Sequence, residues 1–176
     1  MKKALLICVV AVSLSGCASL MSSAASGLAD SISDSVLNQD DPETAKAALP
    51  TFMVLIDGFI RDNPEDPEIL ASGATLYASY GAIFADDEVR ASRLTTRARG
   101  YALKAMCVSY APACSWPDNT YDEFVASLEG IGPKQSESLY TYGFASLAFL
   151  RAHSSDWNSL AELPQITELF NHYMNI

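Results

Sequence analysis

The chain is 176 residues long, with 49% hydrophobic and 18% charged residues, a formal net charge of −10 and a mean hydropathy of +0.12. That acidity repels nucleic-acid phosphates and anionic lipid, so neither is expected as a partner held by charge. The length and apolar content suit a single domain with a sizeable core.

Lys2 and Lys3 form a basic start, followed by an apolar run over residues 4–12. The run is too short to span a bilayer, which takes about 20 residues. Leu14-Ser15-Gly16-Cys17 comes next. Small side chains before a cysteine suit a lipoprotein signal peptidase, and the Cys17 thiol is the nucleophile that takes a diacylglyceryl group. Residues 1–16 are therefore predicted to be a lipoprotein signal peptide, which would discard Cys8 with it, and Cys17 the lipid attachment site. The competing reading is an ordinary secretory signal with an incidental cysteine. Residues 17–27, small and rich in Ser and Ala, read as the lipidated start of a tether. Losing Lys2 and Lys3 leaves nine basic residues against 21 acidic ones, a formal charge of −12. An acyl anchor, not a basic patch, would then hold the chain to the membrane. Ala18, rather than Asp, follows the cysteine and favours the periplasmic face of the outer membrane.

Residues 28–176 form the predicted domain, and its apolar residues recur at helical spacing. The first helix is expected over 28–37 and the second over 42–62. Asp41 caps the second, Pro42 sits in its first turn, and Pro50 kinks or splits it. A third helix starts at Pro67 behind the cap Asp66 and runs through Phe84. The fourth spans 87–106. Residues 112–117 read as a loop, 121–128 as a fifth helix, 130–133 as a turn and 133–152 as a sixth helix. Two short segments follow, over 156–160 and from 163 onward. Nothing alternates as a strand does, so the class is all-α. Asn63-Pro64 and Asp66-Pro67 punctuate helix pairs, a spacing similar to degenerate tetratricopeptide hairpins of about 34 residues. An irregular helical bundle would look alike. Ala71, Gly73, Ala74 and Ala78 on one helix, and Ala98, Ala102 and Ala105 on its partner, are expected where helices approach closely.

Beside the lipidated Cys17, Cys107 and Cys114 are the only cysteines left after processing. In an oxidising compartment they are disulfide candidates, with two buried free thiols as the alternative. His153 and His172 lack ligand spacing to either cysteine, so no metal is expected. Motifs for a catalytic serine elbow, a phosphate loop or a zinc-binding helix are absent, and neither an enzyme nor a cofactor is expected.

Several side chains are candidates for function. Tyr77, Tyr80 and Phe84 share a helical face, either as core or as the lining of a groove. Asp57 interrupts an apolar segment. It is either buried with Arg97 as its partner or turned to solvent. Arg90, Arg93 and Arg97 line one face at i, i+3 and i+7. They either pair with acids such as Asp62, Asp86 and Asp87 or form a patch that attracts carboxylates and partners. Tyr101 joins Tyr77 and Tyr80 as a candidate apolar anchor.

The run 48–58 (Ala-Leu-Pro-Thr-Phe-Met-Val-Leu-Ile-Asp-Gly) opens an ordered series. Asn63-Pro64, Pro67-Glu68-Ile69-Leu70, Leu76-Tyr77-Ala78 and Tyr80-Gly81-Ala82-Ile83-Phe84 follow. Arg90, Arg93-Leu94, Arg97-Ala98-Arg99 and Tyr101-Ala102-Leu103 complete it. The series resembles the TRAP transporter TatT component family from about residue 27 onward. The resemblance implies a periplasmic lipoprotein of tetratricopeptide-like helical repeats. It also implies an accessory role: docking the periplasmic solute-binding protein of a TRAP transporter and assisting ligand transfer. Two other roles compete, a general outer-membrane assembly scaffold and a binder of small apolar solutes. Homo-oligomer formation stays open. Family chains look longer, and this one stops at Ile176 inside an apolar pattern without a polar capping repeat. The expectation is a truncated member or a genuine short one.

Overall fold

The computed structural model describes residues 38–176 together with 27, 28, 31, 34 and 35. The expected signal segment, Cys17 and most of the expected tether and first helix lie outside these residues. Among the described residues there are seven α-helices and no strand, and the class is all-α. None of these helices is long and apolar enough to cross a membrane.

The helices are α1 (Pro42–Asp62), α2 (Pro67–Ile83), α3 (Glu88–Ser109), α4 (Tyr121–Leu128), α5 (Ser136–Ala152), α6 (Trp157–Leu160) and α7 (Leu163–Tyr173). Side-chain caps start most of them. The Asp41 carboxylate accepts from the Glu43 N–H at 3.2 Å, and Asp66 accepts from the Glu68 and Ile69 N–H groups at 3.1 Å each. Thr120 and Glu123 form a reciprocal capping box on α4. Pro50 interrupts the hydrogen bonding of α1 but does not split it, since the helix runs unbroken across it.

Three boundaries depart from the sequence reading. α3 runs three residues beyond Met106, and Ser109 Oγ donates back to the Ala105 carbonyl at 2.9 Å. The expected loop over 112–117 is instead a 3-10 helix, Ala111–Asp118. Pro112 can start such a turn because it forfeits no needed donor there. The segment is fixed at two points. A disulfide joins Cys107 to Cys114 with their Cα atoms 4.7 Å apart. Trp116 is buried against Phe124 and Tyr142, both at 4.9 Å, and its Nε1–H donates to Ser127 Oγ at 2.8 Å. The helix expected from Pro133 begins as a 3-10 turn, Pro133–Gln135, before α5.

α2 is the centre of the molecule. Twelve of its residues are buried, from Ile69 through Gly81, and it packs against α1, α3 and α5. A helix covered on so many sides needs small residues where its neighbours cross. Ala74, Ala78, Ala98, Ala102 and Ala105 are all fully buried. A Cβ on Gly73 would come within 2.6 Å of Ile60, and one on Gly81 within 2.9 Å of Thr95. α1–α2 and α2–α3 are neighbouring pairs, while α5 lies against both α2 and α3 and carries α7 on its far side. Gly143 of α5 is pressed the same way, its absent Cβ position being 2.7 Å from Phe170 and 2.8 Å from Leu169 of α7.

Gly143→Ala should therefore destabilise the fold by about 1–3 kcal/mol through overpacking. Gly100→Ala, in mid-α3 with nothing within 4 Å of the new methyl, should be neutral or stabilise by up to about 1 kcal/mol. Urea unfolding of the two variants measures the contrast. Equal effects of one sign would refute the packing assignment.

Candidate functional site

Asp57 projects from α1 toward α2 and α3, and three donors converge on its carboxylate. The Tyr77 hydroxyl donates to Oδ2 at 2.7 Å, Arg97 Nη1 donates to Oδ2 at 2.9 Å, and the Tyr101 hydroxyl donates to Oδ1 at 2.8 Å. Arg97 Nη1 also donates to the Tyr77 oxygen at 3.0 Å. One carboxylate thus ties three helices together. The tyrosine rings meet edge to face at 5.8 Å. Burial, reinforced by the bonds to Asp57, pushes both phenol pKa values up. A raised folded-state pKa means that the protonated phenol stabilises the fold. That contribution is complete below the unfolded phenol value of about 10 and is lost as pH climbs above it.

The sequence reading that buries this pair needs correction. Arg97 keeps 52% of its side chain exposed and Asp57 30%. The network sits at the rim of the core, with ring carbon facing inward and charge facing water. Tyr77 and Tyr80 are themselves buried and Tyr101 half-buried. As candidate anchors for a partner these rings are mostly committed to the core, which is the packing alternative of the sequence reading.

Arg90, Arg93 and Arg97 do line one cleft of about 330 Å³, facing Pro50, Met53 and Val54 of α1. The expected ion pairs with Asp62, Asp86 and Asp87 do not form. Asp86 pairs with Lys46 at 3.3 Å and Asp62 with Arg61 at 3.7 Å. The Asp87 carboxylate is taken up as the cap of α3, accepting from the Arg90 backbone N–H at 2.7 Å. The Arg90 guanidinium instead rests 5.1 Å above the Tyr80 ring, and Arg97 lies 5.3 Å from the Tyr77 ring. Arg93 has no ion pair among the described residues. The cleft therefore joins an apolar wall to a cationic one, with a free guanidinium between two held ones.

A second cleft, of about 380 Å³, was not foreseen from the sequence. Arg99 and Glu162 form a bidentate ion pair in its wall, Nη1 to Oε1 at 3.1 Å with Nη2 on Oε2 as the second bond. The Arg99 guanidinium lies 4.7 Å from the centre of the Phe149 ring. Burial opposes its charge, but Glu162 and Tyr142 more than compensate and hold its pKa above the usual arginine value. Arg99 stands about 200° around the helix from Arg97, so the two arginines serve opposite sides of α3. Glu162 is 63 residues away in sequence. The readable hint was a fourth arginine on α3, off the face shared by Arg90, Arg93 and Arg97.

Other chemistry is limited. Among the described residues no group of three or more His, Cys, Asp or Glu side chains could hold a metal ion. Ser92 Oγ lies 2.7 Å from His153 Nε2, and His153 Nδ1 contacts the Phe149 carbonyl at 2.8 Å. Neither Ser92 nor His153 lines either cleft.

A protein-family model described as the TRAP transporter T-component matches residues 38–175. Comparison with curated proteins and with solved structures finds no significant match.

Removing the junction tests its role. Asp57→Ala should lower stability by about 1–2 kcal/mol, because three donors lose a charged acceptor. The loss should fall short of the roughly 3–5 kcal/mol seen on breaking fully buried pairs. The Asp57–Arg97 coupling in a double-mutant cycle should stay below about 1 kcal/mol, since Arg97 is half in water. A melting temperature unmoved by Asp57→Ala would discard the junction.

Proposed function

The chain belongs to the TRAP transporter T-component family, and from that premise we propose that it is a lipid-anchored periplasmic scaffold that docks the transporter's solute-binding protein. Membership makes it an accessory component of a TRAP-type transport system. The finer reading is supported by features of this chain. The motif Leu14-Ser15-Gly16-Cys17 behind a short apolar run supports lipid attachment at Cys17. Tethering at the periplasmic face, with the outer membrane favoured by Ala18, would raise the local concentration of a diffusing partner. The helix pairs α1–α2 and α2–α3 support a tetratricopeptide-like arrangement, which leaves one face open for ligands.

The observation that carries the docking reading is the arginine cleft. In a chain of formal charge −10, three guanidinium groups stand together at one cleft; Asp57 holds Arg97, while Asp62, Asp86 and Asp87 serve other groups, so Arg90 and Arg93 have no ion pair among the described residues. Such a patch attracts an acidic surface and speeds encounter. Arg93 and Arg90 supply the steering charge, and Val54, 73% exposed, supplies apolar contact area beside them. The tyrosines contribute by holding the arginines in place. Assisted transfer of ligand from the docked protein follows from the same contact.

Two experiments test this. Cys17→Ala should abolish acyl labelling and release the chain from the membrane, and a variant still wholly partitioned into detergent would defeat the anchor. The mature chain should retain the TRAP solute-binding protein from periplasmic extract, identified by mass spectrometry. Arg90→Glu/Arg93→Glu should slow association at least tenfold and weaken its salt dependence without moving the melting temperature. Recovery of no solute-binding protein with either form would defeat the partner, and equal recovery with both would discard the arginine face.

A further inference from the structure

The cleft at Arg99 has no part in the docking reading and stands on separate observations. Its volume of about 380 Å³ lies within the range of small-molecule sites. Leu103, Trp116 and Phe149 give it apolar walls, and the Arg99–Glu162 pair gives it a polar one. Gly100 also lines it. Glycine inside a helix is unfavourable relative to alanine, and the neighbours of Gly73, Gly81 and Gly143 explain those three. Gly58 and Gly100 have no such reason, since a Cβ would meet nothing closer than 4.0 Å at the first and nothing within 4 Å at the second; of the two, Gly100 lines this cleft. What the missing side chain leaves open is the cleft.

The polar wall decides the ligand class. A guanidinium carries five N–H donors and a carboxylate about four acceptor sites. The pair uses two on each side and Tyr142 takes a further bond on Arg99, which still leaves each member capacity for a group of opposite sign. A simple carboxylate would satisfy Arg99 but add negative charge beside Glu162, in a chain already at −10. A simple amine would satisfy Glu162 but crowd Arg99. A dipolar head leaves the cleft neutral and serves both.

We propose that this cleft binds a small zwitterion with an apolar side chain, of the α-amino acid class. The carboxylate lies on Arg99, the ammonium on Glu162, and the side chain against Trp116, Phe149 and Leu103.

Trp116 reports directly on the site. The only other tryptophan, Trp157, is 83% exposed and can be silenced as Trp157→Phe. With the mature lipoprotein in detergent, L-phenylalanine or L-leucine should change Trp116 fluorescence saturably. 3-Phenylpropionate, which lacks the ammonium, and 2-phenylethylamine, which lacks the carboxylate, should each bind at least tenfold more weakly than L-phenylalanine. Gly100→Leu fills the cleft from an open position and should keep the helical circular dichroism and melting of the parent while losing the response. Arg99→Gln should weaken L-phenylalanine more than 2-phenylethylamine. No saturable response to either amino acid, equal binding of the one-charge analogues, or an undiminished response in Gly100→Leu would each overturn the proposal.

Discussion

Everything in this fold is arranged around the burial of α2. A helix with water on one side can be built from a simple apolar stripe. One covered by α1, α3 and α5 must let three neighbours close in, and bulky side chains would hold them apart. Gly73, Ala74, Ala78 and Gly81 meet that demand from α2, and Ala98, Ala102 and Ala105 meet it from α3. Volume missing at the crossings is replaced at the margins by tyrosine, leucine and isoleucine. Close crossing also brings residues of different helices within hydrogen-bond reach at the edges. The convergence of Tyr77, Arg97 and Tyr101 on Asp57 is such an edge.

α3 is the element on which the functional readings turn. Its inner stripe of alanines belongs to the core, and its outer positions serve two flanks. Arg90, Arg93 and Arg97 look toward α1, while Arg99, Gly100 and Leu103 look toward the 3-10 segment, α5 and the approach to α7. The two flanks are chemically different. The first offers two guanidinium groups without an ion pair beside a third held by Asp57, suited to a large acidic surface. The second encloses a compensated pair among aromatic rings, suited to something small with no net charge.

The sequence was most informative where local rules decide the outcome. Asp41-Pro42 and Asp66-Pro67 marked helix starts to the residue, because a cap and a first-turn proline act within four residues of chain. The capping box of Thr120 and Glu123, equally local, went unread. Small residues on α2 and α3 correctly indicated close crossing. Failures came where distant chain decides. Two prolines in 112–117 suggested a loop, yet Trp116 finds its pocket between Phe124 and Tyr142, and the segment coils as a 3-10 helix to deliver it there. The pairing of Arg99 with Glu162 has no local trace. Periodicity tells which residues share a face but not what the face meets, so it left Asp57 and Arg97 open between core and solvent, and it offered Asp62, Asp86 and Asp87 as partners that serve other groups. It left Tyr77 and Tyr80 open between core and groove lining, and the packing of α2 encloses both.

The bond between Cys107 and Cys114 has a consequence that varies with redox compartment. Trp116 and Pro117 form one bank of the Arg99 cleft, and they sit just beyond the short covalent loop that folds the chain back on the end of α3. Helix caps and alanine crossings assemble without any oxidant, whereas this bank is locked only when two thiols surrender their hydrogens. Cytosolic reductants keep such thiols apart, and oxidising compartments join them. A chain with both thiols reduced would keep the caps and alanine crossings of its helical frame but lose the covalent closure of that bank.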